Sequence, residues 1–149
     1  MAESEKTMDT KFSVAVHLLI LILETPEPVN SDQMAKSVGT NASYIRKVLA
    51  LMKNAGIVQG RRGISSYTLM VAPAHLALLH VYQAVMEEQR SHLLDMHHHP
   101  CDRCVVGRHI RPVLTGMFAE AEDAFARELA GKTLADCIAA IHAAISQPE

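Results

Sequence analysis

A Cys-x-x-Cys pair, Cys101 and Cys104, stands beside three consecutive histidines, His97, His98 and His99, with His109 shortly after. Thiols and imidazoles at this spacing support three chemistries. Both cysteines with two of those histidines make a legitimate ligand set for zinc or another thiophilic ion. The same cysteines can form a dithiol redox switch, because Arg103, Arg108 and a nearby helix start favour the reactive thiolate. An iron–sulfur cluster could use both cysteines plus a histidine or Asp102. The plain alternative is a solvated polar connector in which only Cys104 packs. Pro100 and the lack of hydrophobic periodicity make the segment a loop under every reading.

A second group of residues is suited to neutralising phosphate. From Asp32 to Glu87 no acidic residue intervenes, while the interval holds Lys36, Arg46, Lys47, Lys53, Arg61 and Arg62. The whole chain has a formal net charge of -2, so this basic block is segregated. Basic side chains concentrated on one helix face and one hairpin tip are where a DNA-binding module meets phosphates and base edges.

The elements that must carry these residues are legible from spacing. Residues 31–69 read as a helix, a turn, a second helix and a two-stranded hairpin, the order of a winged helix-turn-helix. Ser31 can cap the first helix, whose Met34, Ala35 and Val38 share a face. Gly39 breaks it, and Thr40 or Asn41 can cap the second. There Ile45, Val48, Leu49 and Met52 form a core stripe, leaving Ser43, Arg46, Lys47 and Ala50 outward. Ile57–Val58 and Tyr67–Leu69 are the expected strands, with residues 60–66 as the wing. Upstream, residues 9–23 form an apolar helix central to the core, with His17 expected as a hydrogen-bonded core histidine. Downstream, Pro73 starts a new segment, in which Leu76, Leu79, Tyr82 and either Val85 or Met86 make a helical stripe to about Gln89 or beyond. A long helix begins at Gly107, with Pro112 in its first turn, and carries a stripe from Ile110 through Met117 and Phe118 to Leu129. Thr133 with Asp136 caps a final helix. Cys137 there reads as a buried, inert thiol. The expected organisation is a winged domain at 9–89, a sensor loop at 90–109 and dimerisation helices at 110–147.

Composition narrows the class. The 149 residues are 49% hydrophobic and only 4% aromatic, with no Trp, which suits an aliphatic, mainly α core. The polar N-terminus is no secretory signal, and the apolar run from Phe12 is too short for a membrane span of about 20 residues. A cytoplasmic protein is expected, with its three cysteines free or ligating. No nucleophile–base pair, phosphate-cradling glycine loop or spaced acid pair argues for an enzyme. The rivals are a dithiol redox protein, which lacks the strand–helix context, and a winged-helix module that binds protein instead of DNA. The long stripe, about five helical turns, exceeds what a small winged domain can cover. A self-paired helix in a two-fold homodimer would cover it and would read an approximately palindromic operator.

These residues also carry a family resemblance. KFSVAVHLL, VGTNASYIRKVLALMKNAGIV, RRG, LLHVYQAV, CVVGRHIRPVL and KTLADCI occur in order. Together they resemble the Rrf2 family of bacterial transcriptional regulators over roughly residues 11–141. The resemblance implies homodimeric winged-helix repressors with a long dimerisation helix, some sensing a signal through the segment before that helix. It places the DNA contacts at Asn41, Ser43, Tyr44, Arg46 and Lys47, with Arg61 and Arg62 in the wing. Arg46 suits a bidentate guanine contact, while Tyr44 fits a phosphate hydrogen bond or a packing role. Two departures stand out. Ile64–Ser65–Ser66 replaces a glycine-rich wing. The sensor segment has only Cys101 and Cys104 where cluster-binding members carry three cysteines, so the chain resembles the branch without a cluster. No cofactor is required; zinc or an iron–sulfur cluster remains open.

Overall fold

The computed structural model describes residues 9–60, 67–87 and 93–147. Among these described residues six helices and one hairpin follow in order: α1 (Lys11–Glu24), α2 (Ser31–Val38), α3 (Ala42–Asn54), β1 (Val58–Gly60), β2 (Tyr67–Leu69), a 3₁₀ turn (Pro73–His75), α4 (Leu78–Met86), α5 (Val105–Ala130) and α6 (Leu134–Ser146). The fold is mainly helical, as the periodicity predicts, with one antiparallel hairpin pairing Val58 with Leu69 and Gly60 with Tyr67.

Local chemistry sets the ends of the two central helices. Asn30, not Ser31, caps α2: its side chain accepts the Gln33 N–H at 2.9 Å while the Gln33 side chain accepts the Asn30 N–H. The expected cap therefore lies one residue too late, because the reciprocal box needs an amide or carboxyl at the third helical position. Gly39 leaves α2 at φ +89°, a left-handed conformation that costs a side-chain-bearing residue steric strain. Asn41 caps α3 by accepting the Tyr44 N–H at 2.8 Å. The turn between the helices is thus confined to a few residues, and α3 packs against α2.

The core is one aliphatic cluster. Leu18 and Leu19 of α1, Met34 of α2, Ile45, Val48, Leu49 and Met52 of α3, Val81 and Val85 of α4, and Leu134 of α6 all meet in it. Helix α1 is central, touching α2, α3, α4, α6 and β2. His17, however, is exposed, with its Nε2 3.0 Å from the Ser37 Oγ. The expected core histidine is corrected: it has the partner but not the burial, because the α1 residues that face the core are Val14, Ala15, Leu18 and Leu19.

The C-terminal helices join this core at few points. Leu134 N–H donates to the Leu76 carbonyl at 2.9 Å and Leu78 N–H to the Lys132 carbonyl at 2.8 Å. Tyr82 stacks edge-on against Phe12 (5.4 Å) and Phe125 (5.2 Å), tying α4 to α1 and α5. His142 Nε2 hydrogen-bonds Glu24 Oε1 across α6 and α1. Helix α5 starts at Val105, not Gly107, and Pro112 lies well inside it. A proline there lacks the N–H for the Arg108 carbonyl, so the ladder is interrupted near the N-terminal third. The sequence reading errs because Cys104–Val105–Val106 carries no start signal.

Candidate nucleic-acid interface

Helix α3 is buried along one side and open along the other. Ile45, Val48, Leu49 and Met52 are fully buried, and this pins the opposite face outward. Ser43, Arg46 and Lys47 are all exposed on that face. Asn41 is exposed, but its side-chain oxygen is engaged in the cap, leaving its NH₂ free of that role. Tyr44 is half-buried, and its hydroxyl lies 3.1 Å from Thr10 Oγ1 at the start of α1. It is a packed residue that carries a hydroxyl to the rim of the face. Arg61 and Arg62 lie outside the described residues.

The fold adds residues to this face that sequence reasoning did not reach. Asp9 accepts the Lys11 N–H at 2.8 Å and pairs with Lys11 Nζ at 2.9 Å. Burial pushes the Asp9 carboxyl up. That push is outweighed by the Lys11 N–H and ammonium and, further off, by the charge of Lys47, so its pKa ends below the ordinary value. The Asp9 contact in turn raises the Lys11 ammonium. The N-terminus of α1 is therefore a neighbour of the outward face of α3, although 34 residues separate Thr10 from Tyr44. No local sequence signal could have announced this.

The cysteine loop leads into α5. Cys101 and Cys104 are both exposed, as are His97, His98, His99 and His109. Cys104 is the residue that precedes α5. Gly107 holds the loop close: a Cβ there would stand 1.9 Å from the Cys101 carbonyl oxygen, so only glycine permits this approach. His109 Nδ1 lies 2.7 Å from the Val105 carbonyl, which it reaches as donor, and Arg111 donates to the His97 carbonyl at 2.6 Å. The loop's upstream end is held by Glu122 of α5, a buried carboxylate that accepts the N–H groups of Leu93 (2.7 Å) and Leu94 (3.1 Å). Glu122 also went unseen in the sequence, where it reads as one more acid on a charged helix.

The structure does not bring the six candidate ligands together. Among the described residues, no three His, Cys, Asp or Glu side chains converge to hold a metal ion. Cys137 is half-buried, and burial followed by the nearby Asp136 charge pushes its thiol up.

Comparison with known proteins bears on both regions. The family model Rrf2, described as an iron-dependent transcriptional regulator, matches residues 8–140. The chain is 35% identical over 129 residues to YwnA of Bacillus subtilis (strain 168), which carries an HTH-type transcriptional regulator designation; the match covers 87% of this chain and 95% of YwnA. A crystal structure designated a DNA binding protein is 34% identical, covers 86% of this chain and 98% of its own, and superposes with a TM-score of 0.69. Another, designated a transcriptional regulator from Lactobacillus plantarum, is 26% identical over 91% of each chain, with a TM-score of 0.72. As for iron, two exposed thiols with no third ligand converging on them among the described residues do not fit an iron centre.

Proposed function

Since the chain belongs to the Rrf2 family of transcriptional regulators and is a DNA-binding regulator, we propose that it acts in the cytoplasm as a homodimeric repressor of an approximately palindromic operator. One observation supports this most: Ser43, Arg46 and Lys47 stand exposed on the single face of α3 that the core leaves open. A helix presented this way fits the major groove of B-DNA, where Arg46 can bond both acceptors of a guanine edge. Arg61 and Arg62 of the wing would contact the backbone.

The dimer reading is supported by α5. Val106 (67% exposed), Val113 (51%) and Met117 (59%) recur along one face of that helix, each more than half open in the single chain. A two-fold partner would cover them and set two copies of α3 at half-sites about 34–36 Å apart, or a multiple of that. The test is binding to genomic fragments, followed by footprinting. Arg46→Ala should weaken operator binding by about 1–3 kcal/mol and relax discrimination at one base pair. Binding by this variant indistinguishable from wild type would place the reading surface elsewhere.

A second reading concerns the signal. We assign residues 9–89 to DNA binding, 90–109 to sensing and 110–147 to dimerisation. Because α5 begins at Val105, the sensing segment includes the first turn of the dimer helix. Exposure of both thiols favours oxidation over metal at this loop. One hydrogen peroxide would take two protons and two electrons from Cys101 and Cys104, giving a disulfide and two waters.

A further inference from the structure

The N-terminus of α1 brings an acid, a hydroxyl and a cation (Asp9, Thr10 and Lys11) beside the Tyr44 hydroxyl of α3, and the proposed reading of the α3 face gives these three residues no task. Thr10 Oγ1 and the Tyr44 hydroxyl lie 3.1 Å apart. They open onto a cleft of ≈ 370 Å³ between α1 and the turn before α3, which Ser13 and Thr40 also line. Lys11 sits at the adjacent position with its ammonium 2.9 Å from Asp9. The pair is not closed off from water: the side chains of Lys11 and Asp9 keep 21% and 38% of their surface exposed. The charge of Lys47 acts on Asp9 and that of Glu87 on Lys11, which marks these groups as neighbours.

We propose that this corner is a second arm of the DNA interface, in which Lys11, with the hydroxyls of Thr10 and Tyr44, takes a backbone phosphate flanking the groove read by α3. Asp9 is then the counter-ion that the phosphate displaces from Lys11. A duplex with α3 in its major groove presents its phosphate rim to whatever borders that helix, and Tyr44 joins the two elements directly. Hydroxyls and an ammonium are the donors that proteins use against phosphate oxygens. The carboxylate of Asp9 has the opposite effect. It orients the ammonium in the free protein, and it makes the corner neutral until a stronger anion arrives. The arm carries no base information; it sets register and adds affinity for any duplex.

This inference rests on the DNA-binding reading and predicts opposite signs for two neighbouring residues. Full-length wild type, Lys11→Gln, Asp9→Asn and the double variant are titrated against operator and random duplex between about 50 and 200 mM salt. Asparagine keeps the acceptor for the Lys11 N–H, so α1 should start as before, and circular dichroism checks it. Lys11→Gln should bind both duplexes more weakly and flatten the log–log salt slope by about 0.9 per protomer, so that affinity of the dimer, with two such contacts, falls roughly twelvefold less across that range. Asp9→Asn should bind both more tightly, several-fold, and lose most of that gain in the Lys11→Gln background, because the two act through one contact. An unchanged slope in Lys11→Gln, or an equal gain from Asp9→Asn in both backgrounds, overturns the phosphate arm and leaves the α3 reading intact. A wild type with no affinity for either duplex overturns both.

Discussion

Met117 offers the sharpest test of how the chain assembles. It lies on α5 in the exposed row with Val106 and Val113, and 59% of its surface is open in the single chain. Fully burying a methionine or valine side chain stabilises by about 1.5–3 kcal/mol, so covering the open part of Met117 contributes about 1–2 kcal/mol. A two-fold interface counts that contribution twice, or about 2–4 kcal/mol per dimer. Met117→Asp removes it and adds two carboxylates that lose water on association. At about 1.4 kcal/mol per tenfold, the dimer should weaken by at least about 30-fold and up to several hundred-fold. The open position also means that the fold of the protomer should survive. Its neighbour Phe118 is half-buried, so an aspartate there would confound dimerisation with folding. Sedimentation velocity across a concentration series reads the dissociation constant, and thermal melting at low concentration reads the protomer. A Met117→Asp protein with the wild-type dimer constant refutes the α5 interface. A collapse of the protomer melt would show that Met117 is packed within its own chain.

Two further outcomes concern the loop before α5. Glu122→Ala leaves the Leu93 and Leu94 N–H groups without their charged acceptor, and hydrogen bonds to charged groups contribute about 1.5–3 kcal/mol; hydrogen exchange at those two amides should accelerate, and unchanged protection would mean that the contact is not formed in solution. The three thiols should separate by reactivity towards iodoacetamide: Cys101 and Cys104 are exposed, whereas Cys137 is half-buried with its thiol pushed up, so at a given pH less of it is thiolate and it alkylates more slowly, catching up as pH rises. If peroxide alters operator affinity through the loop, Cys101→Ser with Cys104→Ser abolishes the effect and Cys137→Ser keeps it; a double variant that still responds places the signal elsewhere.

Much of the winged domain is legible in the order of residues alone, because its determinants are local. The buried stripe Ile45–Val48–Leu49–Met52 repeats at the helical period, and Gly39 and Asn41 act on backbone within a few residues of themselves. The outward position of Arg46 and Lys47 follows from that stripe by geometry. The Thr133–Asp136 cap is equally local and was readable for the same reason. The start of α5 is not legible in the sequence, because no capping side chain marks it. The dimer expectation, and with it the approximately palindromic operator, follows from the length of the apolar stripe on the long helix, and the family resemblance implies the same homodimer.

What only the tertiary structure decided involves partners far apart in the chain. Glu122 meets Leu93 across 29 residues and turns from a surface acid into a buried anchor for the loop. His17 reads as core from its apolar neighbours, but the packing of α1 turns it outward toward Ser37. The cysteines and histidines that look like a ligand set in a line of sequence are spread over an exposed loop and a helix turn, where no three converge. Asp9 and Lys11 lie outside the basic block, yet packing of α1 on α3 sets them beside Tyr44 and Lys47. Short-range periodicity and capping chemistry specify each helix, whereas the charge pattern of a surface depends on which helices the aliphatic core presses together.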